Sequence, residues 1–176
     1  MAKIGLLSDS HGAAERTAAA AQLLVDHGAE VLIHLGDIES EAVIDALMLP
    51  APGTEEPVEV HVVFGNVDWD RLALARYATD LGMYVDHPVG SLRCGKRRVT
   101  FLHGHDRQAL RDAIATGADY VVHGHTHEAR DDREGEARVI NPGALHRASD
   151  FSVALLDTEA DRVQFLRIPK TQRHPV

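Results

Sequence analysis

The run IGLLSDSHG, residues 4–12, sets the pattern for the first third of the chain: a short apolar stretch that stops at Ser8-Asp9-Ser10-His11-Gly12. Such a run, bounded by small polar residues and glycine, suits a buried strand opening into a loop. The same form returns in VLIHLGD, residues 31–37, and in VEVHVVFGN, residues 58–66. Between the first two runs, residues 13–27 are alanine-rich, with Ala20, Leu23 and Leu24 at helical spacing and Gly28 as a stop. Between the second and third, Ser40 can cap a helix over residues 41–49, which Pro50 and Pro52 end. A strand, helix, strand, helix, strand order implies right-handed crossovers and a parallel sheet, hence an α/β fold. Ligands of such sheets gather beyond the carboxyl ends of the strands, where Asp9, Asp37 and Asn66 stand.

Further along, residues 69–80 read as a helix. Residues 89–94 and 97–102 flank Gly95 and Lys96 as in a hairpin. A helix over 106–116 ends at Gly117, and 120–123 is another strand. The charged stretch 128–138 reads as a hairpin or loop around Gly135, and 139–143 as a short strand entering a sharp turn. Residues 152–156 and 163–168 form a closing hairpin. No repeat or composition break divides the chain, so residues 1–168 are expected to make a single domain and 169–176 a flexible tail.

Composition excludes several classes. Among 176 residues, 44% are apolar and 26% charged, as in ordinary globular proteins. The formal charge of −9 argues against an extended nucleic-acid surface, which would need clustered Lys and Arg. One cysteine, Cys94, allows neither an intrachain disulfide nor a thiolate zinc cluster. The opening apolar run is too short for a signal peptide, and no stretch is long enough for a membrane span. The expectation is a cytoplasmic chain acting on a small substrate, with self-association left open.

Seven good metal donors sit at the ends of the expected segments: Asp9, His11, Asp37, Asn66, His103, His125 and His127. All offer oxygen or imidazole nitrogen, and seven exceed what one ion needs. Within Asp9-Ser10-His11 and His125-Thr126-His127 the donors are two residues apart, so in an extended or turning backbone each pair faces one locus. Two cations roughly 3.5–4 Å apart neutralise a phosphate ester and acidify a shared water. Mixed Asp, His and Asn donors suit manganese first, and also iron, zinc, nickel or cobalt; magnesium and calcium favour all-oxygen sets. Asp37, alone in its tight turn, is the natural bridge. Any single pair of this kind is common by chance, but the five elements in this order are specific.

The ordered blocks Asp-x-His, Gly-Asp, Gly-Asn-x-Asp, His-Gly and Gly-His-x-His, running from Asp9 to Gly143, resemble the calcineurin-like metallophosphoesterase superfamily. The short length and Asn141-Pro142-Gly143 are similar to its small, cap-less bacterial and archaeal phosphodiesterase branch. The resemblance implies a sandwich of two mixed β-sheets flanked by helices. It implies that Asp9, His11, Asp37 and His127 hold a first metal, and Asp37, Asn66, His103 and His125 a second. It further implies hydrolysis of small phosphodiesters by a hydroxide bridging the two ions, with Asn66 helping to hold the substrate. One position departs from the pattern: many members carry a histidine that protonates the leaving group where this chain has Val67. His105 could replace that acid, or be an exposed or ligand-supporting histidine.

The remaining histidines have plainer readings. His34 lies within a strand and suits a hydrogen-bonded core position; His123 suits orientation of a ligand. His27, His61, His87, His146 and His174 lack motif context. Asp68 could orient a ligand or, more simply, cap a helix starting at Trp69. Asn141 fits a structural role near the site, and Arg107 an exposed helix start. Two rivals to a phosphodiesterase stay in view: a phosphomonoesterase on the same site, and a non-catalytic scaffold or binding protein on this fold.

Overall fold

The computed structural model describes residues 3–170, so most of the tail expected over 169–176 lies outside the described residues. The first half alternates β1 (Lys3–Leu7), α1 (Ala14–Asp26), β2 (Val31–His34), α2 (Glu41–Asp45), β3 (Glu59–Val62), α3 (Arg71–Asp80) and β4 (Tyr84–Val85). The second half contains β5 (Val89–Cys94), β6 (Arg97–Leu102), α4 (Arg107–Ala115), β7 (Tyr120–His123), β8 (Arg130–Glu134) and β9 (Ala137–Asn141). It closes with the hairpin β10 (Phe151–Asp157) and β11 (Arg162–Ile168).

These strands form two mixed sheets. One has the order β11-β10-β1-β2-β3-β4, the other β5-β6-β7-β9-β8. In the first, β1, β2, β3 and β4 run parallel, and the closing hairpin returns to pair β10 antiparallel with β1. In the second, β6, β7 and β9 run parallel between antiparallel edge strands.

The buried pattern shows why the sheets stack. Ile4 and Leu6 of β1 and Val31 and Ile33 of β2 face Val99 and Phe101 of β6, and Tyr120 and Val122 of β7, in a core between the sheets. The alternate residues, Leu7, Leu32, Val60 and Val62, turn to the other face and pack against α1, α2 and α3. A smaller cluster of Leu102, Val121 and Val139 lies under Ala113 of α4. Each fully buried large side chain stabilises the fold by roughly 1.5–3 kcal/mol.

Several expected elements change extent. The helix after Ser40 ends at Asp45 instead of residue 49, because the chain must turn to form the Pro50–Pro57 bridge. Ser40 makes no capping bond with its side chain. The next helix begins at Arg71, two residues later than read, with Asp70 accepting from the Ala73 amide as the cap. Strand β4, two residues long, had no recognisable signal. The charged stretch 128–138 resolves into a hairpin of β8 and the start of β9.

The five loops that carry the seven donors follow β1, β2, β3, β6 and β7. Parallel strands of both sheets therefore open on one edge of the sandwich, and that shared edge is the candidate site.

Candidate metal centre

Backbone bonds zip the first two loops together beyond the ends of their strands. The amides of Asp9, His11 and Gly12 donate to the carbonyls of Gly36, Asp37 and Ile38 at 3.0, 2.9 and 3.1 Å. The third loop approaches just as closely. A Cβ on Gly65 would lie 1.9 Å from Asp37 Oδ1, so only glycine fits there. Gly124 is under the same constraint, since its Cβ would meet Ser8 Oγ at 1.9 Å and Asp9 Oδ2 at 2.8 Å.

Backbone strain concentrates at the donors. Among the described residues other than glycine, eight have left-handed φ, and five of them are Asp9, His11, Asp37, His125 and His127. A sixth, Glu39, is hydrogen-bonded to His11. Such conformations cost of order 1–3 kcal/mol each and persist where the surroundings over-determine them.

The surroundings here centre on Asp68. Its buried carboxylate accepts four backbone amides: Asp37 at 2.9 Å, Ile38 at 2.7 Å, Glu39 at 2.7 Å and Gly65 at 2.7 Å. Asp68 is therefore neither a helix cap nor a side-chain partner of a donor; it clamps two loops to each other. Asn141 does similar work on the last loop. Its amide nitrogen donates to the Gly124 carbonyl at 2.9 Å and to Thr126 Oγ1 at 3.0 Å, while its oxygen accepts from the Gly143 amide.

The donors gather in two groups that share Asp37. Donor atoms of Asp9, His11, Asp37 and His127 lie within 4.8 Å of one another, as do those of Asp37, His103 and His125. Asn66 Oδ1 joins the second group, 3.2 Å from His103 Nε2. Asp37 Oδ2 stands 3.6 Å from His11 Nε2 and 3.4 Å from His103 Nε2, between the two groups.

The free valences point to cations. Asp9 Oδ2 accepts from Ser8 Oγ and from the His125 amide. Its Oδ1 is buried without a hydrogen-bond partner, although His127 Nε2 is 3.1 Å away. His103 Nδ1 is 2.7 Å from the Leu35 carbonyl and must donate to it, which turns the Nε2 lone pair toward two further acceptors, Asp37 and Asn66. His11 is fixed in the same way: its Nδ1 donates to Glu39 Oε1 at 2.8 Å and its Nε2 looks into the site. Lone pairs converging on lone pairs require protons or metal ions between them, and this donor set fits the latter.

Charge follows the same logic. Burial pushes the Asp37 carboxyl up, but the bond and charge from His103 outweigh it and bring the pKa to about 2. The Asp9 carboxyl likewise ends below its usual range, the imidazole of His127 overcoming the burial. The neighbouring Asp9 raises His127, and Asp37 raises His103 against its burial. Each carboxylate and imidazole pair thus favours positive charge between its partners, the charge that a cation would supply.

Other sequence-flagged residues fall around this centre. His34 is buried and neutral, its pKa pushed by burial to about 4; its Nδ1 accepts from the Gly36 amide and its Nε2 donates to Ser10 Oγ. The His105 ring lies 5.4 Å from that of His103 and 6.2 Å from that of His125, at the rim of the second group. His146, without motif context in the sequence, places its ring 5.4 Å from that of His11. His61 is a core residue held by Asp86 and Glu59. Arg107 is exposed at the start of α4. Sequence reasoning missed Glu39, whose only signal is its place two residues after Asp37. It also missed Arg71 and His87, which meet across 16 positions with no local pattern to mark them.

Residues 2–161 match the family model described as the calcineurin-like phosphoesterase superfamily domain. Phosphodiesterase MJ0936 of Methanocaldococcus jannaschii is 29% identical over 164 residues, 89% of this chain and 93% of that protein. Phosphodiesterase YfcE of Escherichia coli is 29% identical over 152 residues, 82% of this chain and 80% of its own. The solved structure of an archaeal phosphodiesterase has a TM-score of 0.82 at 28% identity, covering 94% of this chain and 99% of that one.

Two outcomes are expected. Asp68→Asn would set an amide NH2 against backbone donors, stranding at least one of them at a cost of about 1–3 kcal/mol each. Urea unfolding should show the loss and metal stoichiometry should fall; wild-type values for both would refute the clamp. Metal uptake should also release protons from the His127 and His103 pairs, so affinity weakens as pH falls. Titration of metal into weakly buffered protein reads the acid directly, and no acidification would contradict the protonated pairs.

Proposed function

The chain belongs to the calcineurin-like phosphoesterase superfamily, and on that premise we propose that it is a metal-dependent phosphodiesterase of small substrates, with a binuclear centre. The observation that carries this reading is the Asp37 carboxylate, which stands between two donor groups and belongs to both. Relatives named phosphodiesterase over most of their length support the diester as substrate. No helix among the described residues is long and apolar enough to cross a membrane, and we place the protein in the cytoplasm.

In this reading Asp9, His11, Asp37 and His127 hold one ion, and Asp37, Asn66, His103 and His125 the other. Two divalent cations there, manganese foremost, with iron, zinc, nickel or cobalt suited to the same donors, would neutralise the phosphoryl oxygens and acidify a shared water into the nucleophile. The protein fixes the donors in advance: Leu35 and Glu39 set the tautomers of His103 and His11, and the Asp68 clamp sets the position of Asp37. Asn66 is exposed at the mouth, where its amide can also meet a substrate oxygen.

Proton delivery is the unusual part. Val67 occupies the position where an acid would stand, and an aliphatic side chain carries no proton. We assign the leaving-group proton to His105, which is exposed and lies against both His103 and His125. Burial, then the charge of His103, lower its pKa, so its protonated fraction declines as pH rises. The site therefore favours esters with good leaving groups.

Hydrolysis of a chromogenic diester should fall to background in Asp37→Ala and His127→Ala and on chelation, and return when manganese is restored to the wild type. Turnover by the metal-free chain would refute the mechanism; hydrolysis of monoesters alone would convert the reading to a phosphomonoesterase, and no turnover with metal bound would favour a scaffold. For His105→Ala we expect a loss of about a hundredfold on an alkyl leaving group, the lower end of general-acid contributions. The loss should be clearly smaller on p-nitrophenol, whose departure needs no proton. Equal losses on the two would remove His105 from proton delivery.

A further inference from the structure

Beside the second donor group lies a cavity of about 200 Å³, walled by Arg71, His87, His103, His105 and Asp106 among others. Only His103 and His105 enter the reaction described above. The remaining polar groups have an arrangement that calls for an acceptor.

His87 Nδ1 receives the Phe64 amide at 3.3 Å. A backbone amide can only donate, and a neutral imidazole has a single lone pair to receive it. The ring proton is therefore on Nε2. Yet Nε2 faces Arg71 Nη1 at 3.4 Å, and a guanidinium is also only a donor. Two N–H donors thus point at each other on the exposed wall of the cavity, where one oxyanion could accept from both. Burial, then the charge of Arg71, lower the His87 pKa and keep the ring in this neutral form.

Arg71 is not free to swing away unopposed. Its Nε donates to the Asp68 carbonyl at 3.2 Å, which ties the guanidinium to the residue that clamps the metal loops. The one carboxylate in the wall, Asp106, is engaged as the cap of α4, accepting the Gln108 and Ala109 amides at 2.9 and 3.1 Å. A second cavity, which begins one residue away from Arg71, at Asp70, differs in charge. Of about 430 Å³, it is lined by Glu39, Glu41, Asp70, Val67 and Trp69 and would repel an anion.

We propose that the Arg71–His87 cavity is an oxyanion subsite contiguous with the metal centre, taking a second anionic group, a phosphate or carboxylate, carried on one arm of the phosphodiester. The inference rests on the phosphodiesterase reading and narrows its substrate class. At about 200 Å³ the cavity is smaller than the roughly 300–1,000 Å³ of clefts that enclose whole ligands, so it admits one charged group and not a complete nucleoside. A planar guanidinium with a fixed imidazole N–H beside it offers an oxyanion two donors at once.

The test compares two diesters on the metal-loaded protein: ethyl p-nitrophenyl phosphate, and its counterpart with 2-phosphoethyl in place of ethyl. The anionic arm should lower KM by about tenfold, the size of one charge-assisted hydrogen bond. In Arg71→Gln and in His87→Phe the KM ratio between the substrates should shrink to near one. Equal KM values in the wild type overturn the subsite. If neither diester is hydrolysed, the phosphodiesterase reading itself has failed, and the subsite is judged by binding. In the zinc-loaded protein, inorganic phosphate should then shift the His87 ring resonances saturably, and Arg71→Gln should abolish the shift. Shifts confined to the histidines of the metal groups, with His87 unmoved, overturn it.

Discussion

One buried carboxylate holds the site in register. Asp68 accepts four backbone amides from two loops, and those loops carry Asp37, Asn66 and Glu39. A carboxylate is the one side chain that offers acceptor positions for four donors and no proton of its own. An amide or hydroxyl in its place would leave donors facing donors. The bonds also explain how Asp37 tolerates a φ of 55° while presenting Oδ2 to both histidine groups. Strain at the donor is compensated by satisfaction of the amides around it, so the protein alone fixes where the candidate ligands stand.

The same arrangement accounts for the contrast between the core and the edge. Between the sheets, Ile4, Ile33, Phe101 and Val122 pack without polar atoms. Beyond the strand ends, buried polar groups bond to one another: Ser8 to Asp9, Ser10 to His34, Asn141 to Gly124. The atom left over among the donors is Asp9 Oδ1. A buried oxygen without a partner is costly, and it points where the neighbouring His127 nitrogen points. The apolar sandwich supplies the rigid frame, while the polar edge turns that rigidity into fixed positions for charged atoms.

Much of this was legible in the sequence because it is local. Buried parallel strands read as uninterrupted apolar runs, and the loops after them announce themselves by glycine beside Asp, Asn or His. The resemblance to a known family then divided seven donors into the two groups that the geometry brings together. What escaped reading depends on contacts between distant residues. Asp68 has the local look of a helix cap, but its partners lie mostly about 30 positions away and it turns from the helix toward them. The helix after Ser40 has the pattern for nine residues and forms five, since the turn to β3 has a prior claim on its end. Glu39 and His87 are single polar residues whose roles exist only once other loops are beside them.

The two cavities beside the centre differ in charge, and this asymmetry gives the open site a direction. Glu39, Glu41 and Asp70 line one with no cation, whereas the other sets Arg71 and two imidazoles, His87 and His105, against the single carboxylate of Asp106. A site of cations alone would bind a diester in either sense, because its two ester oxygens are chemically alike. Flanks that differ in charge make the two senses unequal in energy for any substrate whose arms differ in charge. The exposed indole of Trp69 and the partly buried Val67 extend the acidic flank with apolar surface, favouring an uncharged arm there. Orientation of the substrate would thus follow the placement of these charges, and Arg71 is tied to the loop clamp through the Asp68 carbonyl.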